Sequence, residues 1–246
     1  MLALQTPRSD EHDEMLFIVV HQVYELWFKQ ILHEIGLLKR ALLGGERPVA
    51  DKTLRRILTI LKTLVAQIDV LETMSPVDFL SFRERLTSAS GFQSVQFREL
   101  EYELGLRERR WLRMAPEGSE QRRRLEARLA EPSVWDAFVR FLQRAGYRVP
   151  DPPAPGPEAP EHPQPSEPLQ GVLVEIYRTD PDTTSLCERL VDLDEGLQEW
   201  RYRHVKMVER TIGRKRGTGG SSGAAYLRRT LFQPLFPDLW AIRTEL

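Results

Sequence analysis

A chain of 246 residues, 41% hydrophobic and 29% charged, reads as soluble and globular and is long enough to bury a sizeable core. Its 35 basic and 36 acidic side chains leave a formal net charge of −1, which gives no reason to expect a nucleic-acid partner or an anionic membrane surface. A single cysteine, Cys187, excludes an internal disulfide and fits a reducing compartment. With no signal peptide and no apolar run of membrane-spanning length, the chain reads as cytoplasmic.

The strongest helix signal covers residues 15–43, where Phe17, Val20, Tyr24, Phe28, Ile31, Ile35, Leu38 and Leu42 recur at spacings of three and four. A second helix is predicted over 52–72. Ser75 and Pro76 look like an N-cap and first helical position, opening a short helix that runs to about Leu86. The Ser-Ala-Ser-Gly run at 88–91 interrupts the pattern, and another helix follows over about 92–106. Residues 107–147 are charged and amphipathic and read as one or two helices anchored by Trp111, Trp135, Phe138 and Leu142. Residues 149–170 hold about half of the chain's 17 prolines, so they are expected to form an extended surface connection inside a single domain spanning 1–246. Helices near 172–177 and over 184–212 come next, with a short one at the end. No strand alternation is present, and the predicted fold class is all-α.

His204 falls on a stripe with Leu193, Leu197, Trp200 and Val208, so its imidazole points inward with apolar neighbours. A histidine so placed is either a hydrogen-bonded core residue or an axial ligand for a haem iron, held without covalent attachment because no Cys-x-x-Cys-His is present. His21 is a second inward histidine, with Phe17 one turn before it and Tyr24 one turn after. A carboxylate-bridged di-iron pair would need Glu-x-x-His, yet Ile18, Gln30 and Arg201 stand three residues before His21, His33 and His204. One cysteine and scattered histidines make no zinc cluster. Arg83, flanked by Phe79 and Leu86, is either a snorkelling arginine or a bidentate partner for a substrate carboxylate. The loop around Thr218, Ser221 and Ser222 lacks a P-loop ending. It can be a plain linker, or a donor-rich segment that orders over a ligand.

Three blocks together carry more information than any one of these residues. HDEMLFIVVHQVYELWFKQILHEI, SASGFQSVQFRELEYELG and WRYRHVKMVERTIG with GTGGSSGAAYLRRTL resemble the signature blocks of the tryptophan 2,3-dioxygenase family, in the family's order. The resemblance is close over about 9–105 and from 193 to the end, and loose between them. It implies an all-helical, homotetrameric, haem b enzyme that opens the pyrrole ring of L-tryptophan with O2 to give N-formyl-L-kynurenine, the first step of tryptophan catabolism through kynurenine. By motif position it implies His204 as proximal iron ligand and His21 as the distal residue near the indole N–H. It likewise implies Arg83 at the substrate carboxylate, Thr218 at the amino acid's polar end, and Phe17, Phe79 and Leu86 around the indole. Ala89, Ser90 and Gly91 would then lie along the haem edge. Two other outcomes stay open at this level: a haem enzyme oxidising a substituted tryptophan, and a non-catalytic haem-binding helical protein. Family members also carry a tyrosine-containing stretch, ahead of the block that begins here near Gln5, which completes a neighbouring subunit's pocket. No tyrosine precedes Tyr24, so either the start is assigned too late or the pocket closes differently.

Overall fold

The opening apolar pattern folds as a long helix, α1 (His12–Gly44), in a computed structural model that describes residues 5–86, 94–213, 215, 217 and 223–246. It ends where the Glu46 amide folds back onto the Ala41 carbonyl at 2.8 Å, satisfying a carbonyl the helix leaves free. α2 (Arg47–Leu71) follows at once, starting five residues earlier than its apolar pattern implies. Ser75 then caps α3 (Pro76–Phe82) in a reciprocal box with Asp78, and the chain tightens into a 3₁₀ turn, Arg83–Arg85. The predicted helix to Leu86 is thus an α-helix followed by one narrower turn.

α4 (Val95–Glu103) stops three residues short of expectation, because the Leu106 amide turns back onto Glu101. The segment expected to hold one or two helices holds three: α5 (Arg110–Met114), α6 (Glu120–Leu129) and α7 (Val134–Arg144). Pro116 and Pro132 break the run, and Ser119 and Ser133 restart it as N-caps. The extended connection ends at Ser166 rather than at 170, since α8 (Glu167–Thr179) accepts Pro168 in its first turn, where no amide partner is needed. α9 (Pro181–Ile212), α10 (Ala224–Arg228) and α11 (Pro237–Ala241) complete the helices, with a last 3₁₀ turn, Ile242–Thr244. No strand occurs among the described residues, and none of their helices is long and apolar enough to cross a membrane.

The helices form two compact units interleaved in sequence, with α1, α2 and α9 contributing to both. The first comprises Met1–Lys29, Thr59–Ser94 and Gly196–Gln233. Its core includes Phe17, Val20, Phe28, Leu64, Ile68, Phe79, Phe82, Leu197 and Trp200. The second comprises Gln30–Leu58, Val95–Glu195 and Pro234–Leu246, and so contains the whole proline-rich connection.

The second unit buries charge as well as hydrocarbon. Lys39 Nζ lies 2.6 Å from Glu103 and 2.8 Å from Glu131, while Arg128 reaches Glu103 at 2.9 Å and Glu99 at 3.2 Å. Arg124 closes the network on Glu99. Fully buried Asp194 accepts the amides of Leu235 (2.8 Å) and Phe236 (3.2 Å) and the Trp240 indole N–H (2.8 Å), which ties down the chain's end. Removing one partner from such a network leaves a buried charge partly uncompensated. Lys39→Met should therefore cost about 3 kcal/mol in urea unfolding. Arg123→Ala, which breaks an exposed pair with Glu120, should cost at most about 0.5 kcal/mol; equal losses would show that the buried network is not stabilising.

Candidate functional site

The described residues to which the resemblance assigns a site role lie in the first unit: Phe17, His21, Phe79, Arg83, Leu86 and His204. Ala89, Ser90, Gly91 and Thr218 lie outside the described residues.

On α1, the one-turn spacing of Phe17 and His21 places the two rings 4.0 Å apart by centroid, and His21 Nδ1 is 2.7 Å from the Phe17 carbonyl oxygen. A carbonyl only accepts, so Nδ1 carries the proton. Burial lowers the His21 pKa, against smaller opposing effects of that hydrogen bond and of Glu25. The ring is accordingly neutral near pH 7, and its Nε2 is left as an acceptor.

Around it stands an aromatic wall. Phe17 lies 5.7 Å from Phe79 and 5.8 Å from Phe82, and those two meet edge to face at 5.6 Å. Phe82 is fully buried and was not among the residues chosen from sequence, although its three-residue spacing from Phe79 was a usable signal. Arg83 is half-buried where α3 gives way to the 3₁₀ turn; its amide donates to the Phe79 carbonyl, and its own carbonyl accepts from the Leu86 amide at 3.1 Å. Leu86 is buried beside this turn.

A second overlooked residue, Glu14, fastens the segment before α1. Only 1% exposed, it accepts the amides of Arg8 (2.9 Å) and Ser9 (2.8 Å) and the Ser9 hydroxyl (2.5 Å). Burial would raise its pKa, but these bonds and nearby Arg85 hold the carboxyl below the usual range. Arg8 in turn donates to the Arg85 carbonyl at 3.3 Å. The chain entering α1 is thereby tied to the turn that carries Arg83.

His204 is half-buried on α9, its ring parallel to Trp200 one turn earlier, at 5.4 Å and 10°. Trp200 packs edge-on against Phe28 at 6.1 Å and lies 6.2 Å from Tyr24. The Tyr24 hydroxyl donates to the Leu64 carbonyl at 2.6 Å, and burial pushes its pKa up to about 12 against the opposing influence of Trp200 and Arg203. Tyr24 thus braces Trp200 rather than continuing the Phe17–His21 wall. After α9 the chain returns to its own starting point. A Cβ at Gly223 (φ +64°) would sit 2.6 Å from the Lys215 carbonyl oxygen, so only glycine fits there. Arg228 on α10 then pairs with Glu209 at 2.5 Å, and Arg201 donates to the Thr230 carbonyl at 3.2 Å, so the chain that follows Gly223 is anchored to α9.

What could such a site hold? No group of three or more His, Cys, Asp or Glu among the described residues is arranged to hold a metal ion. A single imidazole suits an iron whose remaining ligands would arrive with it, as a porphyrin supplies them. His204, oriented by Trp200, fits that demand, and the aromatic wall with a neutral His21 suits a flat apolar ligand bearing one N–H.

A family model described as Tryptophan 2,3-dioxygenase matches residues 1–142 and 165–246. A tryptophan 2,3-dioxygenase of Anaeromyxobacter sp. (strain K) is 58% identical over 248 residues, spanning 100% of this chain and 92% of the relative. Its namesake in Herpetosiphon aurantiacus is 57% identical over 249 residues, covering 100% and 94%. The one in Caulobacter vibrioides is 44% identical over 250 residues, again covering 100% and 94%.

The neutral burial of His21 has a measurable consequence. Below the ordinary value of 6.5 the unfolded chain takes up a proton that the folded chain, with its lowered pKa, does not. Stability is therefore lost as pH falls from 6.5 towards that folded value. Urea unfolding at stepped pH should show wild type losing stability more steeply there than His21→Asn, by at most about 1.4 kcal/mol per pH unit. Parallel curves would mean that His21 is charged when folded.

Proposed function

This chain belongs to the tryptophan 2,3-dioxygenase family, and on that premise we propose that it binds haem b and opens the pyrrole ring of L-tryptophan with O2, giving N-formyl-L-kynurenine. The observation that carries the reading is the match to relatives of that name along the whole chain, at up to 58% identity. Those names support tryptophan cleavage over oxidation of a substituted tryptophan or a non-catalytic role.

His204 would hold the haem iron, with Trp200 fixing the plane of its ring, and Ala89, Ser90 and Gly91 would border the macrocycle. Bound there, the haem supplies the activation of dioxygen. The side chains supply orientation and exclude water. Arg83 pairs with the substrate carboxylate through its planar fork, and Thr218 holds the amino acid's polar end. Phe17, Phe79 and Leu86 enclose the indole, a role to which Phe82 adds from behind Phe17 and Phe79. His21 accepts the indole N–H at Nε2, since its Nδ1 proton is already committed to the Phe17 carbonyl. It therefore orients the ring and need not remove a proton from it.

We assign the enzyme to the cytoplasm, with residues 1–246 acting as one dioxygenase domain within a homotetramer. Exposed apolar side chains in the first unit support contact with other copies: Met15, Val19 and Leu26 form a stripe on α1, and Val77 on α3 is 75% exposed.

Incubating the haem-reconstituted, reduced protein with L-tryptophan and labelled O2 tests the activity. The product should carry both labelled atoms; a single label, or no product over many equivalents, would overturn it. Three variants separate the roles. His204→Ala should lose haem retention, read from the absorption spectrum of the purified protein. His21→Ala should keep haem and retain part of the activity. Arg83→Ala should keep haem and raise KM by roughly 30-fold, about 2 kcal/mol, as expected when a substrate carboxylate loses its partner. Equal haem content in His204→Ala and wild type would remove that residue from the iron.

A further inference from the structure

The second unit contains a cavity of about 110 Å³ beneath the proline-rich connection. Most of its roof comes from residues 150–163, which fall in the stretch, 143–164, that the family match omits. A long connection without secondary structure inside a compact unit calls for a reason. This one is firmly held. Arg109 donates to the carbonyls of Pro157 (2.8 Å) and Ala159 (2.5 Å), and the Arg107 amide donates to Glu161 at 2.7 Å. At Gly105 (φ +95°) a Cβ would sit 3.0 Å from Pro163 Cγ, so the connection lies against bare backbone there. Although pinned this closely, the segment leaves space beneath it.

The chemistry of the walls is lopsided. Prolines, Trp135 and Leu169 contribute carbon, and a proline has no backbone N–H to donate. Asp238, in the wall and 0% exposed, accepts the Ser166 amide (2.7 Å) and the Gln170 side-chain amide (2.8 Å), both at Oδ1. Its Oδ2 has no hydrogen-bond partner. A buried acceptor in that state is costly, and an N–H donor brought to it from the cavity would relieve that cost. Of the other charged side chains lining the space, Arg107 is matched by Asp136 at 3.8 Å, and Asp151 accepts from Gln143 at 2.9 Å. His162 is the remaining titratable group in the wall. With the Arg107–Asp136 pair cancelling, carboxylates remain in excess.

We infer that this cavity binds a small organic cation of the size of propylammonium, its N–H donated to Asp238 Oδ2 and its carbon chain packed on the prolines and Trp135. The volume is somewhat below that of the roughly 150 Å³ engineered cavity that takes up benzene, and a three-carbon ammonium ion fits within it. Burial raises the Asp238 pKa, against the Ser166 and Gln170 hydrogen bonds. A cation bound beside the carboxylate favours its ionised form.

Calorimetric titration of the full chain with propylammonium chloride tests the assignment, with propanol and propionate as neutral and anionic counterparts. Propylammonium should bind saturably with a dissociation constant on the order of 1 mM, and the counterparts at least roughly tenfold more weakly. Asp238→Asn should weaken binding by roughly tenfold or more. Should Asp238→Asn fail to fold, Val139→Phe, which fills the cavity from α7, should abolish binding instead. No saturable binding, equal binding of propanol, or unchanged affinity in a folded Asp238→Asn or Val139→Phe protein would overturn the proposal.

Discussion

The hydrogen bond from His21 to the Phe17 carbonyl, made within one turn of helix, is the constraint on which the proposed recognition depends. It commits one ring nitrogen as donor, and burial keeps the ring neutral, so the other nitrogen can only accept. In the proposed site the aromatic side chains beside it would make that acceptor selective for a ligand that is flat, apolar and equipped with an N–H. An indole meets all three conditions. Burial, which outweighs the contrary effect of that bond, disfavours the protonated ring and so argues for a histidine that orients its ligand.

The two ends of the ligand call for different local structure. The aromatic end is bounded by α1 and α3, where side chains one turn apart reinforce each other. The polar end is the one proposed for Arg83, held where α3 tightens into a narrower turn. Glu14 and Arg8 tie the chain before α1 to that turn through backbone groups. On α9 the histidine proposed as iron ligand owes its orientation to Trp200, and Trp200 is backed by Tyr24 and Phe28. Each reactive group thus has a second residue fixing its geometry, without which a site of this kind loses precision.

Much of the fold was legible in the residues themselves. The three and four spacing located α1, α2 and α9, and Ser75 marked the start of α3, because helix period and capping are local properties. Boundaries in the charged middle were less accessible. There Pro116, Pro132, Ser119 and Ser133 turned an expected one or two helices into three. The charges of α4 were harder still: Arg98, Glu99, Glu101 and Glu103 are all buried, although their composition suggests a solvated face. Nothing local shows that Arg124, Arg128 and Lys39 come back from elsewhere in the chain to neutralise two of them. Phe82 and Glu14 were missed at the candidate site for a similar reason. One is an aromatic without a polar atom to draw notice, and the other is a carboxylate among several before a helix.

From the amino-acid order alone came the all-helical class, the inward placement of His21 and His204, and the blocks that identify the family. These depend on periodicity and on motif spacing, both of which act over a few residues at a time. Tertiary structure decided which nitrogen of His21 carries the proton, which ring braces His204, and which cations neutralise the buried carboxylates. It alone placed the proline-rich connection over a cavity with Asp238 in its wall. Those outcomes are set by distances between groups far apart in the chain, and by the loss of water around them, quantities that exist only once the helices have packed.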